Sequence, residues 1–339
     1  MSTSVCLETL SSEELVTALQ AGLRRSPDAD LRVERLVRRP FDAATSSVME
    51  ALDVRLSDGT LLELLAKNVG PGGMLGSAAE VKPPFLHDPT REVAIYRSLL
   101  QTELGTADYV GAIEDPVFGR YVLLLERVRG SELRDVGSLA AWSKAARWLG
   151  KFQSWVRSRA RPALPLLLYD RAYFARWPVR ALAILDGNSA DRVRLHLLRE
   201  LARAFDRTVD VLLSMPTSIV HGDYSPSNVL VAGDGDSLRI CPVDWEVAGV
   251  GPALYDLAAL MSGDWDLGER EAMVTAYLDS VKPTPAWPPS IEEATTLLDH
   301  CEFALAMQWL GWAPSWVPPP RQNRDWLDVA RNAFERTKQ

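Results

Sequence analysis

Cysteine is scarce in this chain. There are three in 339 residues, Cys6, Cys241 and Cys301, an odd number with no C-x-x-C spacing. That excludes a disulfide framework and a cysteine-rich zinc site, and it suits a reducing compartment. Long apolar runs are missing as well: no stretch reaches the ~18 uninterrupted apolar residues of a membrane span. The opening MSTSVCLETLSSEELV lacks both the basic start and the apolar centre of a secretion signal. A surplus of positive charge is also absent. A net charge of −8 and a pI near 5.2 argue against nucleic acid or an anionic membrane as partner. No internal repeat is seen, and no glycine-rich loop ends in Gly-Lys-Ser/Thr, so a P-loop is excluded. What remains is a cytoplasmic globular chain of about two domains, on the usual ~100–200 residues each.

The most informative stretch runs from Ile219 to Asp256. It contains His221-Gly222-Asp223, then Asn228 five residues after that Asp, then Asp244 sixteen residues after the Asn. Val229-Leu230-Val231 runs into a Gly/Asp turn at Gly233 to Asp236, and a second apolar run, Leu238 to Val243, ends at Asp244. Strand, turn, strand is the natural reading. Such a hairpin brings Asn228 close to Asp244, so that two oxygen-bearing side chains converge as a hard cation such as Mg²⁺ requires. Asp223 lies on the loop just before them, placed to accept a proton from a hydroxyl. The competing reading is a surface hairpin with scattered polar turn residues.

His-x-Asp-x-x-x-x-Asn followed by a strand-end Asp resembles the catalytic loop and metal-binding Asp of the protein-kinase-like fold. The form HGDYSPSN, with VDWE in place of a DFG-type tripeptide, is similar to the aminoglycoside phosphotransferase and choline kinase family. The resemblance implies an α+β, bilobal fold. Residues 1–126 would form a nucleotide-binding lobe with an N-terminal helix, a five-stranded-type antiparallel sheet and one helix. Residues 127–339 would form a larger, mostly helical lobe with the catalytic loop, metal site and acceptor pocket. It implies transfer of a γ-phosphoryl group from ATP or GTP, with Mg²⁺, to a hydroxyl of a small molecule. Asp223 would be the base, Asn228 and Asp244 the metal ligands. His221 would brace the loop and Asp256 would steady it, or serve as an ordinary helix N-cap.

Further matches lie upstream. Ser11 and Glu14 form a capping-box pattern ahead of a Leu15, Leu19, Leu23 stripe, which predicts an amphipathic helix. Strands are predicted at Leu31–Arg39, Val48–Leu56 and Thr60–Ala66, with a turn at Ser57-Asp58-Gly59. The third ends at Lys67, where the resembled fold keeps the lysine that grips the phosphates. The loop that would cover them, PFDAATSS, has no glycine, which leaves the hydroxyls of Thr45, Ser46 and Ser47 and the backbone N–H groups as contacts. Gly70 to Pro89 reads as a flexible Gly/Pro connection. Thr90 is expected to cap a helix over Arg91–Leu100 whose Glu92 pairs with Lys67. A strand at Tyr121–Glu126 leads to the hinge, where backbone groups near Glu126 and Val128 would meet the purine edge.

Beyond Ser131 the pattern is helical. Trp148, Leu149, Phe152 and Trp155 share one face of Leu139–Val156, and a second helical region spans Leu182–Met215 with a break near Gly187-Asn188. From Ser262 to Glu302 nine acidic residues face only Arg270 and Lys282, and six of the eleven tryptophans lie between Trp265 and Trp326. Asp264, Asp266, Glu269, Glu302 and Trp309 thus suit an acceptor pocket for a cationic amino sugar, antibiotic or other natural product. They suit equally a solvated acidic face with tryptophans in the core. Trp309-Leu310-Gly311-Trp312 and the prolines of Pro314 to Pro320 fit a pocket wall or plain packing. A kinase-like protein that binds nucleotide without transferring phosphate is the alternative from another class. The acceptor, ATP versus GTP, monomer versus homodimer, and a resistance, metabolic or biosynthetic role stay open.

Overall fold

The computed structural model describes residues 10–24, 30–41, 46–75, 82–100, 102–159, 163–187, 192–285, 287–312 and 324–338. Thr45 and Pro314 to Pro320 lie outside them. The chain divides into two compact units, Met1–Glu80 with Asp88–Gly130, and Val81–His87 with Ser131–Gln339.

The first unit begins with helix α1 (Ser12–Leu23), capped by Ser11. The Ser11 hydroxyl accepts the Glu14 N–H while the Glu14 carboxylate accepts the Ser11 N–H. Leu15, Leu19 and Leu23 are buried, as their i, i+4, i+8 spacing requires. They pack with Leu52, Val54, Leu56, Leu64 and Leu124 in one core. The sheet is antiparallel and five-stranded: β1 (Val33–Pro40), β2 (Met49–Leu56), β3 (Leu61–Asn68), β4 (Tyr109–Asp115) and β5 (Arg120–Glu126), in spatial order β1-β2-β3-β5-β4. The β2–β3 turn closes at Gly59, whose φ of 89° lies in the left-handed region.

Two expectations about the following segment change. Residues 70–75 are not a flexible connection. Pro71–Gly73 is a 3₁₀ turn, Val48 N–H donates to Gly73 C=O at 2.7 Å, and Leu75 N–H donates to Ser46 C=O at 3.1 Å. The turn is a strap across the entry to β2, and it needs glycine at 73 because a Cβ there would overlap Asn68. Helix α2 (Pro89–Ser98) is capped by Asp88 rather than Thr90. Pro89 suits the first helical position, so the cap falls on the residue before it. The Asp88 carboxylate accepts both the N–H and the hydroxyl of Thr90.

The second unit is mainly helical, with two small sheets. β6 (Ser131–Glu132) leads through α3 (Leu133–Val136) to α4 (Leu139–Arg157). After β7 (Leu167–Leu168), α5 (Arg171–Gly187) starts earlier than the pattern predicts and runs through Pro178, and α6 (Arg192–Ser214) follows. β8 (Thr217–Val220), β9 (Val229–Ala232), β10 (Arg239–Pro242) and β11 (Gly249–Pro252) precede α7 (Tyr255–Leu260), α8 (Leu267–Leu278), α9 (Ile291–Leu310) and α10 (Trp326–Arg336). β9 pairs with β10 and β6, while β11 lies between β7 and β8. Trp148 on α4 stacks against Phe152 and Tyr224, with ring centroids 5.1 and 5.9 Å apart. Among the described residues no helix is long and apolar enough to cross a membrane.

The α1 packing is testable. Leu19→Ala should destabilise the first unit by about 2–5 kcal/mol, and Ser11→Ala by about 1 kcal/mol. Urea unfolding followed by tryptophan fluorescence would report little, since all eleven tryptophans lie at or beyond Trp142. Hydrogen exchange in β2 is the informative measurement.

Candidate active site

In the first unit the site is one buried ion pair. Lys67 lies near the end of β3, between Met49 on β2 and Leu123 on β5. Glu92 is in the first turn of α2, where a carboxylate suits the helix dipole. Lys67 Nζ is 2.7 Å from Glu92 Oε2, and both side chains are buried. Desolvating two charges costs several kcal/mol per ion unless geometry compensates, so a pair this short orients the lysine more than it adds stability. Ser46 and Ser47 lie at the described end of the covering loop. Ser47 is buried and bridges Met74, so its backbone anchors the loop. At the hinge, Glu126 N–H donates to Asp108 C=O and Arg127 N–H to Glu63 C=O. The Glu126 N–H is therefore engaged inside the unit. Val128 stands outside these bonds.

In the second unit the β9–β10 hairpin forms as its pattern requires, with Val229 opposite Pro242 and Ala232 opposite Arg239. Val243 N–H donates to Asn228 C=O at 2.9 Å and closes the hairpin's open end, which brings Asn228 and Asp244 to the same place. Asn228 Nδ2 donates to Asp223 C=O at 3.1 Å and to Asp223 Oδ2 at 2.9 Å. Turning its amide nitrogen to Asp223 leaves Asn228 Oδ1 as the oxygen directed elsewhere. Asp244 has φ 67°, and it alone among the described non-glycine residues is left-handed. Such a conformation costs roughly 1–2 kcal/mol and persists only where the surroundings over-determine it.

The loop before the hairpin hangs on Asp256. This fully buried carboxylate accepts His221 N–H at 2.6 Å and Gly222 N–H at 2.9 Å. It sits inside the first turn of α7, whose N-cap is Leu254, so Asp256 is a loop anchor and not a helix cap. His221 is fully buried; its Nε2 lies 2.9 Å from Val243 C=O and its Nδ1 accepts Asp223 N–H at 3.4 Å. Those partners fit a ring that donates from Nε2 and accepts at Nδ1, bracing the loop. Gly222 has φ 83°, and a Cβ there would overlap Tyr169 Oη, which itself donates to Val247 C=O at 2.9 Å.

Electrostatics follow from crowding. Burial raises the Asp223 carboxyl to about 6, helped by the charges of Asp244 and Glu246 and opposed by hydrogen bonds from Ser225 and Asn228. Burial likewise raises Asp256 to about 7, against the two N–H donors, with Asp223 adding to the rise. A carboxylate poised near neutral pH is suited to general-base work. Ser225 and Glu246, which act on Asp223, lie inside HGDYSPSN and VDWE, but their effect on Asp223 is not legible from those motifs. No group of three or more His, Cys, Asp or Glu residues forms a metal cage among the described residues. One carboxylate and one amide oxygen fit Mg²⁺ instead, which is bound through one or two protein ligands with substrate phosphates completing the shell.

The acidic residues expected around an acceptor have partners within the chain. Asp266 and Glu269 form the capping box of α8. Asp264 pairs with Arg324, and Glu302 joins Asp299, Arg270 and Arg336 in a charge network. Trp309 packs between Trp312 and Trp326, with centroids 5.5 and 5.6 Å away.

Comparison with known proteins fits this geometry. The profile of the phosphotransferase enzyme family matches residues 85–290, more than half of the chain. The protein belongs to that family. Solved structures share its fold at low identity. A microcompartment-associated aminopropanol kinase matches with TM-score 0.56 and 16% identity, covering 94% of this chain and 93% of that one. Choline kinase from Cryptosporidium parvum Iowa II matches with TM-score 0.59 and 12% identity, covering 97% and 95%. The GDP complex of aminoglycoside 2'-phosphotransferase-IIIa matches with TM-score 0.56 and 12% identity, covering 97% and 99%. No curated protein matches. This family member has the fold of those kinases: an antiparallel amino-terminal sheet followed by a mostly helical part.

Two outcomes are expected. Gly222→Ala should unseat the loop from Tyr169, and Tyr169→Phe in the same chain should recover part of the loss; thermal melts of the single and double variants check this. Folded Asp256 and Asp223 titrate above the ordinary carboxylate value of 3.8. Their contribution to stability is therefore full below that value and lost as pH rises through about 6 to 7. The ligand-free midpoint should fall between about pH 5 and pH 8 by more than in Asp256→Asn, which carries no such proton.

Proposed function

We propose that this phosphotransferase moves the γ-phosphoryl group of a purine nucleoside triphosphate to a hydroxyl of a small molecule. The observation that carries the reading is the convergence of Asp223, Asn228 and Asp244 on one hairpin mouth, with Asn228 Nδ2 2.9 Å from Asp223 Oδ2. Asp223 accepts the proton of the bound hydroxyl as its oxygen bonds to phosphorus, and the bond from phosphorus to the β-phosphate oxygen breaks, releasing nucleoside diphosphate. Asn228 holds the Asp223 carboxylate in orientation through that bond. Lys67, aimed by Glu92, binds the nucleotide phosphates. Asn228 Oδ1 and the Asp244 carboxylate are the oxygens that would hold Mg²⁺, which supplies charge neutralisation on the phosphates. His221 and Asp256 keep the loop backbone fixed.

Two comparisons name small alcohols that also carry a nitrogen group, aminopropanol and choline, and one carries GDP. They support a small alcohol as acceptor. In this chain Asp264, Asp266, Glu269 and Glu302 have structural partners, so the acceptor's charge is not assigned from them.

The test is direct. Mg²⁺ with ATP or GTP at ~100 times its dissociation constant adds about 2.7 kcal/mol to the wild type, visible as a thermal shift. Asp244→Ala should lose the Mg²⁺-dependent part. Asp223→Asn should bind nucleotide within about threefold while turnover falls at least ~100-fold. Near-normal turnover in Asp223→Asn overturns the assignment.

A further inference from the structure

Lys82 is a residue that neither the motif nor the family match singles out as part of the site. It lies on the short segment Val81–His87, which interrupts the first unit in sequence but belongs to the second. Its ammonium is 2.5 Å from Glu246 Oε2, and its side chain is 8% exposed against 25% for Glu246. A pair this sheltered is screened less than a surface one.

The segment is built to deliver that lysine. Pro83 and Pro84 fix the backbone just after it, and Pro84–Leu86 is a 3₁₀ turn. Phe85 packs against Tyr173 and Trp177, with centroids 6.3 and 5.7 Å away, and the Arg176 guanidinium lies 4.4 Å from the Phe85 ring centroid. Leu86 is buried. The lysine therefore reaches Glu246 from a tethered base.

At the other end stands the turn that contains Asp244, whose left-handed backbone must be held by its neighbours. On the amino-terminal side, Val243 N–H bonds Asn228 C=O. On the other side, Trp245 is fully buried, 4.4 Å from the His221 ring and 5.3 Å from Phe152, and Ala248 N–H closes onto Trp245 C=O. Glu246 is the next residue, and Lys82 grips it.

We infer that Lys82 is a positioning residue: through Glu246 it holds the Asp244 turn in the conformation that presents the Asp244 carboxylate. The inference rests on the proposed phosphotransfer reading. It assigns to an interrupting segment, remote in sequence, the task of clamping the metal-binding turn.

The variants are Lys82→Ala, Lys82→Arg, Glu246→Gln and the Lys82→Ala/Glu246→Gln pair. The readouts are the Mg²⁺ concentration that half-saturates the thermal shift with ATP or GTP, and release of inorganic phosphate from the nucleotide with water as acceptor. Partners of metal ligands alter metal affinity by about 10–100-fold when removed, so Lys82→Ala and Glu246→Gln should each raise the half-saturating Mg²⁺ about tenfold. Lys82→Arg should restore it, and the pair should be no worse than the worse single variant, as for two residues acting as one unit. A lysine acting only as a charge would do the opposite, since removing a cation beside carboxylates tightens Mg²⁺. A lysine that only steadies the segment would lower the melting midpoint with the Mg²⁺ requirement unmoved. Either result overturns the inference. If Lys82→Ala does not fold, Glu246→Gln with an unchanged Mg²⁺ requirement overturns it alone. A wild type with no Mg²⁺-dependent shift removes the phosphotransfer reading and this inference together; a responsive wild type with indifferent variants removes only the inference.

Discussion

Two backbone N–H groups, those of His221 and Gly222, end on one buried carboxylate, Asp256, and the site of the second unit is organised by that contact. Buried backbone donors need acceptors, and a loop that turns sharply at a left-handed glycine has no helix or sheet to provide them. A carboxylate with two oxygens meets both at once; an amide offers one acceptor. Burial raises the carboxyl's proton affinity against the pull of those two donors, so the stability of the loop is sensitive to pH.

From that anchor the rest follows by contact. Tyr169 fills the space that a side chain at residue 222 would need, and its hydroxyl ties down Val247 C=O just beyond the Asp244 turn. His221 bridges the loop to Val243. Asn228 bridges the loop to the hairpin through Asp223. Each bond joins two segments that separately have no reason to stay in place. Together they hold one strained residue, Asp244, and one crowded carboxylate, Asp223, in conformations that neither would adopt alone. The Lys82 clamp belongs to the same logic, since its segment is secured by aromatic packing before its charge is used.

In the first unit the dependence is simpler. The antiparallel pairing of β2, β3 and β5 places Lys67, and a helix that starts at Pro89 places Glu92 within reach of it. The strap at residues 70–75 explains a feature of the covering loop: glycines absent from PFDAATSS occur in the turn that braces its base.

Much of this was legible in the residue order, for reasons that are local. The α1 stripe, the capping box, the three-strand meander and the β9–β10 hairpin depend on periodicity and turn chemistry within a few residues. His221, Asp223, Asn228, Asp244 and Asp256 could be picked out because their spacing along one stretch is itself the motif. What sequence could not reveal depends on contacts between distant segments. Asp88 displaced Thr90 as a cap because Pro89 prefers the first helical position. Residues 70–75 became a strap because Ser46 and Val48 offered hydrogen-bond partners across the fold. Asp264, Asp266, Glu269 and Glu302 suit a charged pocket or a solvated face in one dimension; Arg324, Arg270, Arg336 and one helix terminus are the partners they meet in three. Sequence alone picked out the residues proposed to carry the chemistry; tertiary structure decided which charges are engaged and which turn is held under strain, because pairing and burial are properties of space and not of order along the chain.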